Sequence, residues 1–128
     1  MATLTQLGDL QLAILQVLWE RGEATVSEVH QALLDERGLA PTTIATMLTK
    51  MEKRGMVAHR EEGRRFVYRP EMSEAKVQRS MLRELTARVF EGDVTALVSR
   101  LLDNEEIDRD ELAAIRRMIE EHAKTQGK

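Results

Sequence analysis

The stretch PTTIATMLTKMEKRGMVAHREEGRRFVYR, residues 41–69, decides the fold of this chain. Its first half predicts an amphipathic helix, because apolar side chains recur at intervals of three and four residues. They are Ile44, Met47, Leu48 and Met51. Pro41 suits the first helical position, where its missing N–H is not needed, and Gly55 suits the left-handed residue that ends a helix.

The opposite face of this predicted helix consists of short hydroxyls and long cations. Its members are Thr42, Thr43, Thr46, Thr49, Lys50 and Lys53. A threonine hydroxyl can hydrogen bond a base edge while its methyl contacts a thymine methyl, and lysines more often contact phosphate. We therefore predict that this face binds DNA. The alternative is a polar, exposed helix surface with no partner.

Two short segments rich in β-branched and aromatic residues follow the helix, MVAHR at 56–60 and RRFVYR at 64–69. The intervening EEG at 61–63 predicts a tight turn, so the two segments should form an antiparallel hairpin. Arg64 and Arg65 leave this turn and are predicted to contact phosphates or a minor groove. A basic hairpin beside a reading helix is the wing of a winged helix. The two glutamates of the turn either point to solvent or limit how deeply the wing enters DNA.

Charge is distributed unevenly along the 128 residues, whose formal net charge is −3. Residues 40–70 contain seven cationic and three acidic side chains, whereas the segments on either side have an acidic excess. Concentration of positive charge on one helix and hairpin is typical of a DNA-binding surface. The chain has no cysteine, which excludes disulfides and thiolate chemistry and favours a reducing cytoplasm. No apolar run has the length of a membrane span.

A first helix is predicted over the apolar stripe from Leu10 to Trp19, with Thr5 or Asp9 as its cap and Gly22 as its end. Trp19 is interpreted as a residue of the core or of a domain junction. A role in stacking on a ligand is the less favoured alternative, because such sites are few in any protein.

A second helix is predicted to begin at the capping box formed by Thr25 and Glu28 and to end at Gly38. A short turn then leads to the helix that begins at Pro41. Two helices joined in this way predict a helix-turn-helix, whose second helix enters the major groove of DNA.

Three more helical segments are predicted after the hairpin, each with a single apolar stripe. Such helices cannot form much of a core alone, so we predict that two copies of the chain interlock them. The residues predicted at that dimer interface are Leu85, Val89, Phe90, Val94, Leu97, Val98, Leu101, Leu102, Ile107, Leu112, Ile115 and Ile119. The alternative is that these helices fold back on the N-terminal half. A two-fold dimer would hold two reading helices about 34 Å apart, one turn of DNA.

In this order and spacing, three stretches resemble the penicillinase and methicillin-resistance repressor family (BlaI/MecI type). They are LQLAILQVLW followed by TVSEV, PTTIATMLTKMEKRGMV with GRRFVYRP, and FEGDVTALVSRLL followed by the last helix. The resemblance implies a cytoplasmic bacterial homodimer that represses transcription by covering an operator. It assigns base reading to Thr42, Thr43 and Thr46, wing contacts to Arg64 and Arg65, and the dimer tail to segments 73–90, 93–102 and 108–122.

The chain departs from the family pattern in two places. The best-known members have basic residues at the positions of Thr42 and Ala45, so the operator need not be theirs. Their induction involves proteolysis at an Asn-Phe pair, where this chain has Arg100 and Leu101. A sensor protease that relieves repression stays a possible partner, although this bond does not match. A copper-responsive branch carries C-terminal cysteines, which this sequence lacks.

The sequence therefore predicts a mainly α protein with a small β-wing. Residues 1–71 are predicted to form a winged helix-turn-helix DNA-binding domain and residues 72–128 a helical dimerisation domain of three helices. The predicted function is a transcriptional repressor that binds a palindromic operator as a homodimer; the alternative is a winged-helix protein-interaction module. Because no phosphate loop, metal motif or nucleophile–base pair is present, we predict no enzyme activity, no cofactor and no metal site.

Overall fold

The structure, a computed structural model, describes residues 7–103 and 106–127. Its elements in chain order are α1 (Asp9–Arg21), β1 (Ala24–Thr25), α2 (Val26–Arg37), α3 (Pro41–Lys53), β2 (Val57–Glu62), β3 (Arg65–Pro70), α4 (Glu74–Val89), α5 (Val94–Leu102) and α6 (Arg109–Gln126). The chain divides into two compact units, Met1–Glu84 and Leu85–Lys128. The domain boundary predicted after residue 71 comes before this division and stays a prediction.

The helix ends of the first unit follow the local signals in the sequence. The Thr25 hydroxyl accepts a hydrogen bond from the Glu28 N–H at 3.1 Å, and the Glu28 carboxylate accepts one from the Thr25 N–H at 2.8 Å. This is the predicted capping box at the start of α2. Gly38, with φ 59°, ends α2 in the left-handed region, and Gly55, with φ 78°, follows α3 in the same way. Pro41 occupies the first turn of α3 as predicted.

The cap of α1 differs from the prediction. Gly8 is the cap, and the Gln11 side chain accepts a hydrogen bond from the Gly8 N–H at 2.9 Å. Asp9 is already helical, where its charge favours the positive end of the helix dipole. Thr5, the other predicted cap, lies outside the described residues.

The three strands of the first unit form one antiparallel sheet in the order β1-β3-β2. β1 was not predicted, because two residues are too few to display an alternating pattern. Its Thr25 pairs with Val67 of β3 and caps α2 as well. The predicted turn at 61–63 was placed too early: β2 runs to Glu62, which pairs with Arg65. Gly63, with φ 65°, supplies the left-handed residue of the shorter turn.

The core of the first unit is aliphatic and sulfur-rich. From α3 it receives Ile44, Leu48 and Met51, the stripe predicted from the sequence, with Met47 packed at its margin. Trp19 packs against the same core, and its indole N–H donates a hydrogen bond to the Met72 carbonyl at 2.8 Å. This contact agrees with a core or junction role for Trp19.

The second unit contains α5 and α6, and neither helix has a buried residue. Asp93 caps α5 by accepting from the Ala96 N–H at 3.0 Å. α6 begins with a capping box, because the Glu111 N–H donates to the Asp108 carboxylate at 2.9 Å and the Glu111 carboxylate accepts from the Asp108 N–H at 3.2 Å. Among the described helices, none combines the length and the apolar character needed to cross a membrane.

Candidate nucleic-acid interface

One long face of α3 is turned to solvent. All six polar side chains predicted to contact DNA are exposed, namely Thr42, Thr43, Thr46, Thr49, Lys50 and Lys53. The opposite stripe is closed into the core, with Ile44 at 1% and Leu48 at 0% exposure. The predicted orientation of the helix is therefore observed, and the assignment of its outer face to DNA stays a prediction.

Part of this face forms a shallow hollow of about 270 Å³, bordered by Thr42, Thr43, Thr46, Met47 and Lys50. Three hydroxyls and one ammonium thus lie together on a single exposed surface. Such a surface can meet base edges with its hydroxyls while the ammonium reaches a phosphate.

Thr49 differs from the other threonines of α3. Its hydroxyl donates a hydrogen bond to the Ala45 carbonyl of the preceding turn at 3.0 Å. A hydroxyl that donates to its own helix can still accept a bond but has no proton left for a base acceptor. We therefore place Thr49 at the edge of the reading surface.

The wing carries a network of charges around Glu62. Arg60 donates to Glu62 at 2.6 Å and to Glu23 at 2.7 Å, while Arg65 lies 3.6 Å from Glu62. The hydrogen bond and charge of Arg60 hold the pKa of Glu62 below its usual value, and both carboxylates raise the pKa of Arg60. Glu62 therefore stays ionised, with its charge partly offset by Arg60, and the choice between solvent and a repulsive limit stays open for both glutamates of the turn.

Arg64 and Arg65 are both exposed, but their electrostatic surroundings differ. Arg65 is close to Glu62, as described above. Within residues 7–103 and 106–127, Arg64 makes no ion pair. Of the two arginines predicted to contact DNA, Arg64 therefore has the less compensated charge.

A groove of about 560 Å³ separates α3 from the wing. Its walls include Ala45 and Thr49 from α3 and Arg64, Arg65 and Phe66 from the hairpin. Of the residues predicted to contact DNA, Thr49, Arg64 and Arg65 thus line one open channel. A channel with cationic walls is suited to a phosphate backbone.

Several residues that line this groove were not assigned to the interface from the sequence. Ser27 and His30 line it from α2, and Phe66, at 42% exposure, lines it from β3. Ser27 and His30 are three residues apart and therefore lie on one side of α2, but only the fold shows that this side borders the wing. Phe66 was interpreted simply as an aromatic residue of a strand.

The C-terminal end of α3 is connected to the wing by a carboxylate–imidazole contact. His59 Nδ1 lies 2.7 Å and 2.8 Å from the two Glu52 carboxylate oxygens. Glu52 of α3 thus contacts the wing through the His59 ring. The His59 ring stacks on Phe66 with centroids 4.1 Å apart and is tilted to Tyr68 at 5.5 Å.

Tyr68 lies beneath this contact and is 3% exposed. Burial raises the pKa of its phenol above the usual value, and the negative charge of Glu52 raises it further. A hydrogen bond with Thr49 has the opposite effect on the pKa. Tyr68 therefore contacts α3 from below while remaining a neutral phenol at physiological pH.

A metal centre is not assembled in the described ranges, which hold no group of three or more His, Cys, Asp or Glu suited to an ion. The groove between α3 and the wing is instead bordered by arginines and hydroxyls, among other residues. Its chemistry suits an anion rather than a cation.

The chain matches a family of known proteins over most of its length. The family model described as "Penicillinase repressor" matches residues 7–121. The chain belongs to the penicillinase repressor family. The predicted BlaI/MecI resemblance is thereby confirmed.

Two relatives extend this assignment over almost the whole chain. The penicillinase repressor of Bacillus licheniformis is 29% identical over 122 residues, which cover 95% of this chain and 95% of the relative. The transcriptional regulator BlaI of Mycobacterium tuberculosis is 33% identical over 123 residues, covering 94% of this chain and 88% of the relative. The penicillinase repressor family is made of transcriptional repressors, not enzymes.

A solved structure confirms the fold class of the N-terminal half. The solution structure of the DNA binding domain of the repressor BlaI is 35% identical, with a TM-score of 0.52, and covers 59% of this chain and 92% of that one. A mainly α protein with a winged helix and a small β-wing is therefore confirmed, and the sheet has three strands.

Proposed function

We propose that this penicillinase repressor family member represses transcription by binding a two-fold symmetric operator as a homodimer. The observation that supports it most is the exposed threonine face of α3, together with a neighbouring groove that Thr49 of α3 and Arg64 of the wing both line. This arrangement lets one protomer read bases and hold the flanking phosphates together. Binding to bacterial chromosomal DNA places the site of action in the cytoplasm.

Roles within the interface follow from the chemistry of each side chain. Thr42, Thr43 and Thr46 read base edges, because their hydroxyls are exposed on the outer face of α3. Thr49 is a peripheral contact. The cations contact phosphates, and they are Lys50, Lys53, Arg64 and Arg65.

The proposal of a dimer is supported by the apolar side chains of the second unit that are exposed to solvent. Val94 is 61%, Leu101 52% and Ile119 59% exposed. A small unit with so much exposed apolar surface is expected to bury it against a partner, and a second copy is the partner that a palindromic site requires. Residues 1–71 then act as the DNA-binding domain and residues 72–128 as the dimerisation domain.

Release of the operator by a sensor protease is a separate proposal. The bond between Arg100 and Leu101 lies inside α5, and Arg100 is 3.4 Å from Asp103 in an ion pair. A protease needs extended backbone, so cleavage there requires local unwinding of α5. The experiment is limited proteolysis of the free and DNA-bound protein with a candidate sensor protease, in which an intact α5 would exclude this route.

A mobility shift tests the function against the alternative of a protein-interaction module. The probe is duplex DNA from the promoter next to the gene, and random duplex of equal length is the competitor. A repressor should retain the promoter fragment at a competitor excess that removes non-specific binding, and its affinity should fall steeply with salt. Equal affinity for both duplexes, or none for either, would favour the protein-interaction module.

A further inference from the structure

Burial along β2 ends at one residue. Val57 is buried, Ala58 and His59 are partly buried, and every residue from Arg60 to Phe66 is exposed. Beyond His59, the contact of β2 with the rest of the first unit is the exposed ion pair between Arg60 and Glu23. A contact that holds His59 therefore constrains the direction in which the hairpin, with Arg64 at its turn, extends.

His59 is held by the base-reading helix itself. Glu52 follows Thr49 by three residues on α3, and both of its carboxylate oxygens lie within 2.8 Å of His59 Nδ1. A carboxylate only accepts hydrogen bonds, so Nδ1 carries the shared proton. Stacking of His59 on Phe66 at 4.1 Å extends the connection from β2 to β3. One chain of contacts thus links α3 to both strands of the wing.

We propose that Glu52 and His59 are positioning residues that fix the wing relative to the reading face of α3. This proposal rests on the proposed function. Neither side chain needs to touch DNA. Their contact keeps Arg64 at the distance from Thr46 at which a phosphate and a base edge of one duplex are reached together. Because the wing is already fixed before DNA binds, the entropic cost of binding is smaller.

The charge of Glu52 makes this proposal sharply testable. Glu52 is the one acidic residue among Pro41–Lys53, so its negative charge lies beside the proposed path of the phosphate backbone. If charge alone mattered, replacing Glu52 with alanine would tighten DNA binding, because a repulsion would be removed. If Glu52 positions the wing, the same replacement weakens binding. The two explanations predict opposite signs.

The experiment uses the full-length protein and a duplex selected from a random pool by the wild type. Fluorescence anisotropy gives Kd and its salt dependence for Glu52→Ala, Glu52→Gln and His59→Phe. We expect Glu52→Ala and His59→Phe to weaken binding about tenfold, a size typical of residues coupled in one network. Glu52→Gln keeps an acceptor for His59 and should retain most of the affinity. His59→Phe keeps the aromatic stack but has no nitrogen.

A coupling measurement separates positioning from simple loss of stability. Arg64→Ala should weaken wild-type binding and lower the salt slope by about 0.9, the value for one phosphate contact. In the Glu52→Ala background the same change should have almost no further effect, because the wing is already displaced. Independent, additive losses would overturn the proposal.

Glu61→Ala is the matched control. Glu61 is an exposed acid on the wing that makes no ion pair within the described part of the chain. The same substitution there removes one negative charge and no inter-element contact. It should leave affinity unchanged or raise it, so a tenfold loss in Glu61→Ala as well would show that alanine substitution in this region is generally damaging.

A measurement on the free protein is independent of operator binding. Hydrogen exchange of the hairpin amides from Arg60 to Phe66 should accelerate in Glu52→Ala and His59→Phe, while the amides of α1 and α2 keep the wild-type rate. Unchanged hairpin exchange would overturn the positioning role, even where the variants bind DNA more weakly. Failure of the wild type to select any duplex would instead reject the proposed function and leave the exchange result to decide the contact.

Discussion

Arg60 and Glu62 form the shortest ion pair on the wing, with Nη1 and Oε2 2.6 Å apart. The two side chains extend from the same strand, and Arg60 also binds Glu23 at 2.7 Å. Glu62 therefore reduces the positive charge that the hairpin presents, since it also lies near Arg65. The strength with which the wing attracts DNA depends on this acid as well as on the arginines.

Glu62→Gln is expected to strengthen DNA binding. The change removes the carboxylate that is ion-paired with Arg65 and raises the net charge of the hairpin. Affinity at low salt should therefore rise by roughly two- to tenfold, and the gain should fade as salt screens it. Titration of promoter and random duplexes between low and physiological salt measures this. A gain that persists at high salt would point to a cause other than charge.

Arg64→Ala is expected to weaken DNA binding more than Arg65→Ala. The positive charge of Arg65 is partly offset by Glu62, whereas Arg64 makes no ion pair among residues 7–103 and 106–127. Loss of one phosphate contact should reduce the salt slope by about 0.9 for Arg64→Ala, with a smaller reduction for Arg65→Ala. For each variant, the loss of affinity should be the same on promoter DNA as on random DNA. Equal slopes for the two variants would contradict the asymmetry.

Thr46→Ala is expected to reduce sequence discrimination. Its hydroxyl is exposed at the centre of α3, and loss of a base contact costs about 1–3 kcal/mol on the preferred site and less on random DNA. Thr49→Ala is the matched control, because the Thr49 hydroxyl already donates to Ala45 at 3.0 Å. Competition between the two duplexes gives the ratio of affinities. An equal loss on both duplexes for Thr46→Ala would argue against base reading.

Val94→Glu is expected to dissociate the dimer. Val94 is 61% exposed on the apolar face of α5, and a charge placed at a dimer interface would have to lose its water. Ser99→Glu, on an exposed polar position of the same helix, is the matched control. Sedimentation equilibrium should give a monomer for Val94→Glu and a dimer for wild type and Ser99→Glu. A dimeric Val94→Glu would move the interface away from α5.

The capping box of α2 should make stability depend on pH. Hydrogen bonds from the Thr25 N–H and hydroxyl hold the pKa of Glu28 below its usual value. Because the folded-state pKa is the lower one, this stabilisation is complete above the pKa of a glutamate in the unfolded chain. It is lost as pH falls through the folded-state pKa. The difference in urea midpoint between wild type and Glu28→Ala should therefore shrink from pH 7 to pH 3, and a constant difference would exclude the linkage.

The helix boundaries and the faces of α3 were predictable because their determinants are local. The spacing of Ile44, Leu48 and Met51 fixes which side is buried, and glycines and capping residues fix the ends. The fold class followed from the order of these elements, and the family resemblance added the repressor function.

What could not be predicted depends on contacts between distant parts of the chain. β1 is recognisable only once Thr25 is seen to pair with Val67. Ser27 and His30 border the groove because α2 crosses beside the wing, which no spacing in the sequence specifies. The contact between Glu52 and His59 was not predictable for the same reason, because the two residues lie on different elements and a surface acid can pair with many cations.

The hydrogen bond from the Trp19 indole to the Met72 carbonyl has a practical use. The chain contains one tryptophan, so its fluorescence arises from a single position, next to the segment that leads into α4. Emission from unlabelled protein should therefore shift when that hydrogen bond breaks. The molecule carries a built-in optical sensor with which rearrangement at the start of α4 can be followed during titration with DNA.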